Sequence, residues 1–503
     1  MPLAAVTVPA HYAGMTSSDQ RHRLSKSRFM AGWQCPKHLW WKAHEPDAQE
    51  LTPGAGLQDI FDQGTEVGKE ARKLFPGGVL IDLPHNDPER VALTRAALDA
   101  GAPAIFEATF VEDDVFVAVH VLRRDDDGFT LIEVKSSTEV KDEHIPDAAV
   151  QTHVLRRAGL DVRRVEIMHL SKAYRFPGGM DLFVRENVTA KANAILPGVP
   201  DMIAEQLAAL RGPLPEAAIG SRCSDPRPCP FWDRCWPQDP CHVTKLYRGR
   251  PKGLTLMKNG IERMAHIPVT QRLTDIQVRQ KRSAEKGGLV IEPGLKKALE
   301  PFTGRLGFLD FETISRALPV WPGLGPWRAT TVQFSYHEAL TGGGYSHRAF
   351  LAEGPADPRE ELSIRMLEAT KGAERIVMYS SFERTRIREL AEALPNLRGD
   401  LLALEAKLID LLPILQNFVY HPDFDGSFSL KYVLHPLVPE LTYDDLIIQD
   451  GLVASVEIWR LLFVAHKIAP DKRATLRADL LAYCERDTEA MVRLLERLRD
   501  LES

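Results

Sequence analysis

Two acids one residue apart, Asp310-Phe311-Glu312, end an apolar run that begins at Leu306. Strand alternation puts both carboxylates on one face, and two anions held together need a cation. Tyr379-Ser-Ser-Phe-Glu383 sets another acid just past a strand. Near the C-terminus, Tyr483-Cys-Glu-Arg-Asp487 sets a phenol and an acid at i, i+4 on one helix face. Asp410 is a rival to Glu383, and Asp445 a weaker one. In the first half, Glu133-Val134-Lys135 puts a carboxylate and an ammonium on one strand face. Four of the six cysteines, Cys223, Cys229, Cys235 and Cys241, fall at an even six-residue step, which asks for a metal. That step is wider than the usual two-to-four-residue zinc knuckle, although proline-rich loops could still close one.

The elements that must position these residues follow from the pattern. At 503 residues the chain holds about two to four domains. With 44% hydrophobic and 26% charged residues it is of ordinary globular composition, which excludes collagenous and broadly disordered classes. Lys+Arg 63 against Asp+Glu 69 gives a net charge of −6, so any nucleic-acid site is a local patch. Such a patch is offered by residues 245–286, where eleven Lys and Arg face three acids: a solvated connector, or a track for a phosphate backbone. No window approaches eighteen apolar residues, and no Lys or Arg precedes Pro2 to Ala10, so a cytoplasmic protein without membrane contact is expected.

The pattern divides into a loose arm (1–21), a first domain (22–244), a basic helical connector (245–300) and a second domain (301–503). Ser25 should cap a short helix ending at Cys35-Pro36. Three strands are expected between Ala104 and Lys135, the last two forming a hairpin through Asp125-Asp-Asp-Gly128. A turn centred on Asp126-Asp127 places His120 opposite Glu133. A helix over Asp147–Ala158 carries Gln151, and a strand over Val165–Leu170 follows. In the second domain, strands are expected at Leu306–Phe311, Val332–Tyr336 and Arg375–Tyr379, with an amphipathic helix over Thr475–Leu501. Cys484 on that helix is expected to be a core residue.

The ordered set of acid-x-acid, a later acid and Tyr-x-x-x-Asp resembles the DnaQ-like three-prime to five-prime exonucleases of RNase H-like fold. The resemblance implies Asp310, Glu312, Glu383 and Asp487 as ligands of two divalent ions, Mg²⁺ or Mn²⁺, with Tyr483 orienting the attacking water. Glu383 stands where that family usually has Asp. Residues 22–240 resemble the RecB-like PD-(D/E)xK nucleases, in the iron–sulfur branch with the CRISPR-associated four-cysteine nucleases. This implies Glu133 as a metal ligand, Lys135 polarising a water, Gln151 beside them, and a restriction-endonuclease-like fold. It also implies a [4Fe–4S] cluster on Cys35, Cys223, Cys229 and Cys235, with Cys241 surplus and zinc the alternative. Where the family would carry a metal-binding aspartate stands His120, next to Glu133 and, on the neighbouring strand, Glu107; Asp113 or Asp114 is the alternative acid. An imidazole suits Mn²⁺ better than Mg²⁺, so this site is expected to cut poorly and mainly to hold DNA. The tyrosine often found four residues after Gln151 is Leu155 here.

The expected protein is therefore a multidomain α/β nuclease that processes DNA, with a mixed sheet in its second domain. A non-catalytic nucleic-acid-binding or scaffold protein and an exoribonuclease are the alternatives, since no residue in the sequence reads a 2′-hydroxyl.

Overall fold

Alternating apolar residues between Ala104 and Lys135 give the three strands expected of them, and these form the middle of a seven-stranded mixed sheet. The structure is a computed structural model that describes residues 23–501, so the expected arm, 1–21, lies outside the described residues. The described residues fall into two units: those up to Trp236 together with Arg316–Trp327, and Pro237–Ser315 together with those from Arg328 on. Each is an α/β unit built on a mixed sheet.

The strands of the first unit are β1 (Leu24–Ser25), β2 (Val79–Leu80), β3 (Ala104–Glu112), β4 (Val115–Asp125), β5 (Gly128–Lys135), β6 (Val162–Leu170) and β7 (Phe183–Asn187). Their order is β2-β3-β4-β5-β6-β7, with β1 lying parallel against the start of β4. The β4–β5 hairpin pairs Asp125 with Gly128 and continues to Val121 and Ile132, the register set by a turn at Asp126-Asp127. Gly128 makes that turn with φ 142°, and a Cβ there would meet the Asp161 carbonyl oxygen at 2.5 Å, so no other residue fits. One face of the sheet buries Ile105, Val117, Leu131 and Val165 with Val150 and Val154 of the helix His144–Arg157. The other packs Phe106, Val121 and Ile132 with Val67 and Ala71 of the helix Ala55–Arg72. Burying side chains of this size contributes about 1.5–3 kcal/mol each.

The second unit adds β8 (Val290–Ile291), β9 (Leu306–Ile314), β10 (Thr330–Ala339), β11 (Tyr345–Leu351), β12 (Arg375–Met378), β13 (Leu408–Asp410) and β14 (Val419–Tyr420). Its main sheet runs β11-β10-β9-β12-β13, antiparallel across the first three strands and parallel from β9 to β13; β8 and β14 form a separate pair. The closing helix, Pro470–Asp500, begins five residues before the expected start because Pro470 sits in its first turn, where a missing N–H is harmless.

The basic stretch lies within the second unit. It forms helices Arg250–Lys258 and Asp275–Lys286, and Val243, Leu246, Leu256, Met264 and Ile267 make a small core of their own. Its charges are largely engaged within the unit: Lys245 pairs with Asp425, Arg263 with Asp239 and Arg282 with Glu292. Arg279 is buried between Glu292 and the carbonyls of Gln416 and Asn417. Sequence counts charge but cannot show that folding brings acids from 425 and 239 back to it.

The segment Arg316–Trp327 leaves β9 and belongs to the first unit. There Arg316 pairs with Asp59 at 2.8 Å, the Ala317 N–H donates to Gln63 Oε1 at 2.7 Å, and the Trp327 indole N–H donates to the Ser136 carbonyl at 2.6 Å. It thus ties the helix Ala55–Arg72 to the end of β5.

Candidate functional site

In the second unit, alternation along β9 turns Asp310 and Glu312 to one face, as expected. The helix Phe382–Ala393 begins just after β12, at a turn where Ser380 takes a φ of 85°, and presents Glu383 in its first turn. The closing helix presents Tyr483, Cys484 and Asp487. These side chains converge: Asp310, Glu312 and Cys484 hold their ligand atoms within 4.8 Å of one another. Glu383 hydrogen-bonds with Asp310, and Tyr483 with Asp487. A Cβ at Gly451 would stand 3.8 Å from Glu312 Oε2 and 3.9 Å from the Tyr483 hydroxyl, so both oxygens flank the start of the helix Gly451–Phe463.

All four carboxyls stand above their ordinary pKa. Burial, and then Asp487, Glu383 and Glu312, push the Asp310 carboxyl well above the usual range. Glu312 is raised likewise by burial and Asp487, against the pull of Lys431. Burial takes Glu383 up to about 8. Asp487 rises to about 6, because burial is opposed by hydrogen bonds from Tyr443 and Tyr483 and by the charge of Lys431. One buried oxygen, Glu383 Oε2, has no hydrogen-bond partner. Four carboxylates of this kind fit hard divalent cations with oxygen ligands, Mg²⁺ or Mn²⁺.

The two rival acids have protein partners, and Asp410 also stands close enough to raise Glu383. Asp410 accepts the N–H groups of Ser380 at 3.0 Å and Leu412 at 2.9 Å, so it fastens the β12 turn to the helix Leu412–Phe418. Asp445 is paired with Arg486 through two 2.9 Å contacts and is well exposed. Three neighbours escaped the sequence reading. Tyr443 donates to Asp487 Oδ1 at 2.5 Å, and the Lys431 ammonium lies 3.3 Å from the Tyr483 hydroxyl, over the Tyr443 ring. Cys484, expected only in the core, is buried, but its sulfur lies 3.6 Å from Asp310 Oδ2.

In the first unit, β4 and β5 part after Val121 and Ile132, and His120 fills the gap, its Nδ1 taking the Val134 N–H at 3.1 Å. The same nitrogen is 3.2 Å from Glu133 Oε2, so the expected facing of these residues is present. Glu107, beside them on β3, has a φ of 57°, a strained value for a strand residue. Its carboxylate meets Arg72 at 3.5 Å in a cleft of about 910 Å³ that His120 and Lys135 also line. Glu133 is buried and already satisfied: Oε1 accepts from Lys26 at 2.8 Å and Lys135 at 2.9 Å, and Oε2 from Gln151 at 3.1 Å. Burial alone would raise its pKa, but His120, Lys135 and Lys26 hold it well below the usual range. Burial opposes the charge of Lys135, yet Asp147 and Glu133 hold its pKa above the ordinary value. Asp147, which contacts Lys135 at 2.5 Å and Gln151 at 3.2 Å, was missed in the sequence, although its position four residues before Gln151 on one helix was a usable signal. Two acids and two lysines thus balance, and this set presents no charge deficit for a divalent cation to fill. The alternative acids stand on other contacts: Asp113 bonds Arg157 at 3.1 Å, and Asp114 bonds Arg211 at 3.2 Å.

Cys35 lies at the joint between the helices Lys26–Gln34 and Pro36–His44. The side chain of Gln34 donates to the carbonyls of Arg222 and Arg227, pinning this joint to the late cysteine loop. The thiol of Cys229 is pushed up to about 11 by burial, with Cys35, Cys223 and Cys235 adding to the rise, so these four are near neighbours. Cys241 lies in the second unit, beside Asp239 and Arg263. All six cysteines are free thiols. The four gathered thiols, one early and three late, fit an iron–sulfur cluster; tetrahedral zinc would draw sulfurs to roughly 3.8 Å of each other.

Fold and sites together define a two-unit α/β protein with a cluster of buried and half-buried acids in one unit and a gathered set of thiols in the other. Residues 307–429 match a domain of unknown function, DUF2779. No curated protein matches the chain. Among solved structures it is similar to the family B DNA polymerase from the hyperthermophilic archaeon Pyrobaculum calidifontis, at 18% identity and a TM-score of 0.27. That match covers 39% of this chain and 24% of the polymerase, so the chain spans about a quarter of the polymerase's length. No helix among the described residues is long and apolar enough to cross a membrane.

Proposed function

We propose that the chain is a metal-dependent nuclease whose second unit removes nucleotides from a free three-prime end of DNA. The observation that carries this reading is the convergence of Asp310, Glu312, Glu383 and Asp487, all raised in pKa, around the hydroxyl of Tyr483. The four carboxylates would hold Mg²⁺ or Mn²⁺, which supplies Lewis-acid activation of water and stabilisation of the leaving oxygen in phosphodiester hydrolysis. The protein's own share is positioning. Tyr483, steadied by Asp487 and Lys431, orients the attacking water through its hydroxyl. Tyr443 fixes the rotamer of Asp487 with its 2.5 Å hydrogen bond.

In the first unit, the RecB-like resemblance and the cleft lined by Lys26, Arg72, Lys135 and Arg227 support a role in holding DNA. Glu133 is already saturated by lysines and Gln151, which supports weak or absent cutting there. The cysteine set would hold a [4Fe–4S] cluster, which would join the early helix to the late loop in a structural role.

End-labelled single-stranded DNA, duplex DNA and RNA, incubated with Mg²⁺ or Mn²⁺, test the reading. A ladder shortening from the three-prime end, lost in Asp310→Ala and Asp487→Ala, is expected. Undiminished activity in both variants overturns the assignment, and cutting of RNA alone decides for the exoribonuclease.

A further inference from the structure

Cys484 is the one member of the acid cluster that the hydrolytic reading leaves without a task. Its sulfur is buried and lies 3.6 Å from Asp310 Oδ2, and its ligand atom, with those of Asp310 and Glu312, falls inside a 4.8 Å span. We propose that Asp310, Glu312 and Cys484 form a site for a thiophilic divalent cation, zinc above all, and that its occupancy silences the acid cluster. The silencing rests on the hydrolytic reading given above; the binding does not.

The spacing suits zinc. With Zn–S near 2.3 Å and Zn–O near 2.1 Å at tetrahedral angles, a sulfur and an oxygen on one ion stand roughly 3.6 Å apart. Magnesium, octahedral at about 2.1 Å, takes oxygens roughly 3.0 Å apart and has no use for a thiolate. A second observation points to a ligand: Glu383 is 2% exposed, hydrogen-bonds with Asp310, and keeps a buried Oε2 without a partner. Asp310, Glu312 and Cys484 supply three donors, and a water completes the tetrahedron. On binding, the thiol proton passes to solvent as the sulfur–zinc bond forms, and hydration waters leave the ion. Zinc then holds Asp310 and Glu312 in a tetrahedral set, and the oxygens that an octahedral Mg²⁺ needs are consumed.

Cadmium, a thiophilic stand-in for zinc, reports the site through its thiolate charge-transfer absorption in the ultraviolet. The full chain, purified with its four-cysteine centre loaded, is titrated with Cd²⁺ beside Cys484→Ser; absorption from the other five cysteines cancels in the difference. The difference should equal one thiolate. Glu312→Gln, which keeps the thiol, serves if the serine variant does not fold, and should weaken cadmium binding by roughly tenfold or more. Zinc should inhibit Mg²⁺-supported hydrolysis by the wild type, and inhibiting Cys484→Ser should need at least about tenfold more zinc. Identical spectra for wild type and Cys484→Ser, or cadmium affinity unchanged in Glu312→Gln, overturn the proposal while leaving the hydrolytic reading intact. A difference band in a protein that hydrolyses nothing keeps the metal site and overturns the hydrolytic reading instead.

Discussion

Replacing Glu383 with Gln should stabilise the metal-free protein and flatten its response to pH. Glu383 is buried, and its pKa stands at about 8 against an ordinary 4.5. Between those values the folded state keeps a proton that the unfolded chain releases, so stability falls as pH rises through the window. Each unit costs about 1.4 kcal/mol, which gives about 3 kcal/mol at pH 7 and roughly 5 kcal/mol above pH 8, where the carboxylate ionises in place. Glutamine has the same shape, carries no charge at any pH, and keeps a side-chain oxygen to accept from Asp310. Urea unfolding of the full chain in EDTA, from pH 5 to pH 9, measures the effect. The two proteins should be close at pH 5, and the variant should lead by about 3 kcal/mol or more at pH 8. Saturating Mg²⁺ should shrink that lead, because a bound cation neutralises the wild-type carboxylate. A variant equal to or weaker than wild type at pH 8, or a lead that does not grow with pH, would refute the reasoning.

Other outcomes follow from the same geometry. Cys229→Ser should lose iron and sulfide after anaerobic purification while Cys241→Ser keeps both, and stoichiometric zinc without iron would decide for the alternative metal. Asp445→Ala should leave hydrolysis within about twofold of wild type, since Asp445 only pairs with Arg486 at the surface; a large loss in the exonuclease assay would return it to the list of ligands. His120→Asp, made in an Asp310→Ala background, should raise cutting by the first unit with Mg²⁺ by bringing a third carboxylate beside Glu133. If the double variant cuts no faster with Mg²⁺ than its Asp310→Ala parent, the imidazole is not what limits the site.

What the sequence made legible was whatever depends on local period. The β4–β5 turn fixed the facing of His120 and Glu133, and alternation fixed the shared face of Asp310 and Glu312. Tyr443 and Lys431 stayed hidden because neither stands at a telling spacing from Asp487 or Tyr483, and only tertiary folding brings them there. In the basic stretch a run of cations counts in full until acids such as Asp425 and Asp239 are brought to it. Asp410 shows the limit of acid counting, since a carboxylate that accepts two backbone N–H groups looks the same in sequence as one that awaits a metal.

The excursion Arg316–Trp327 bears on how this protein can be taken apart. No single cut divides the chain into its two units, because a fragment ending at Trp236 lacks the twelve residues that bond Asp59, Gln63 and Ser136. Such a fragment would expose the contact surface of the helix Ala55–Arg72 and leave the buried side chain of Gln63 without its backbone partner. At the level of the gene, one crossover cannot exchange either half for a foreign counterpart. Any swap must carry the insert with the half that it serves, or graft it separately.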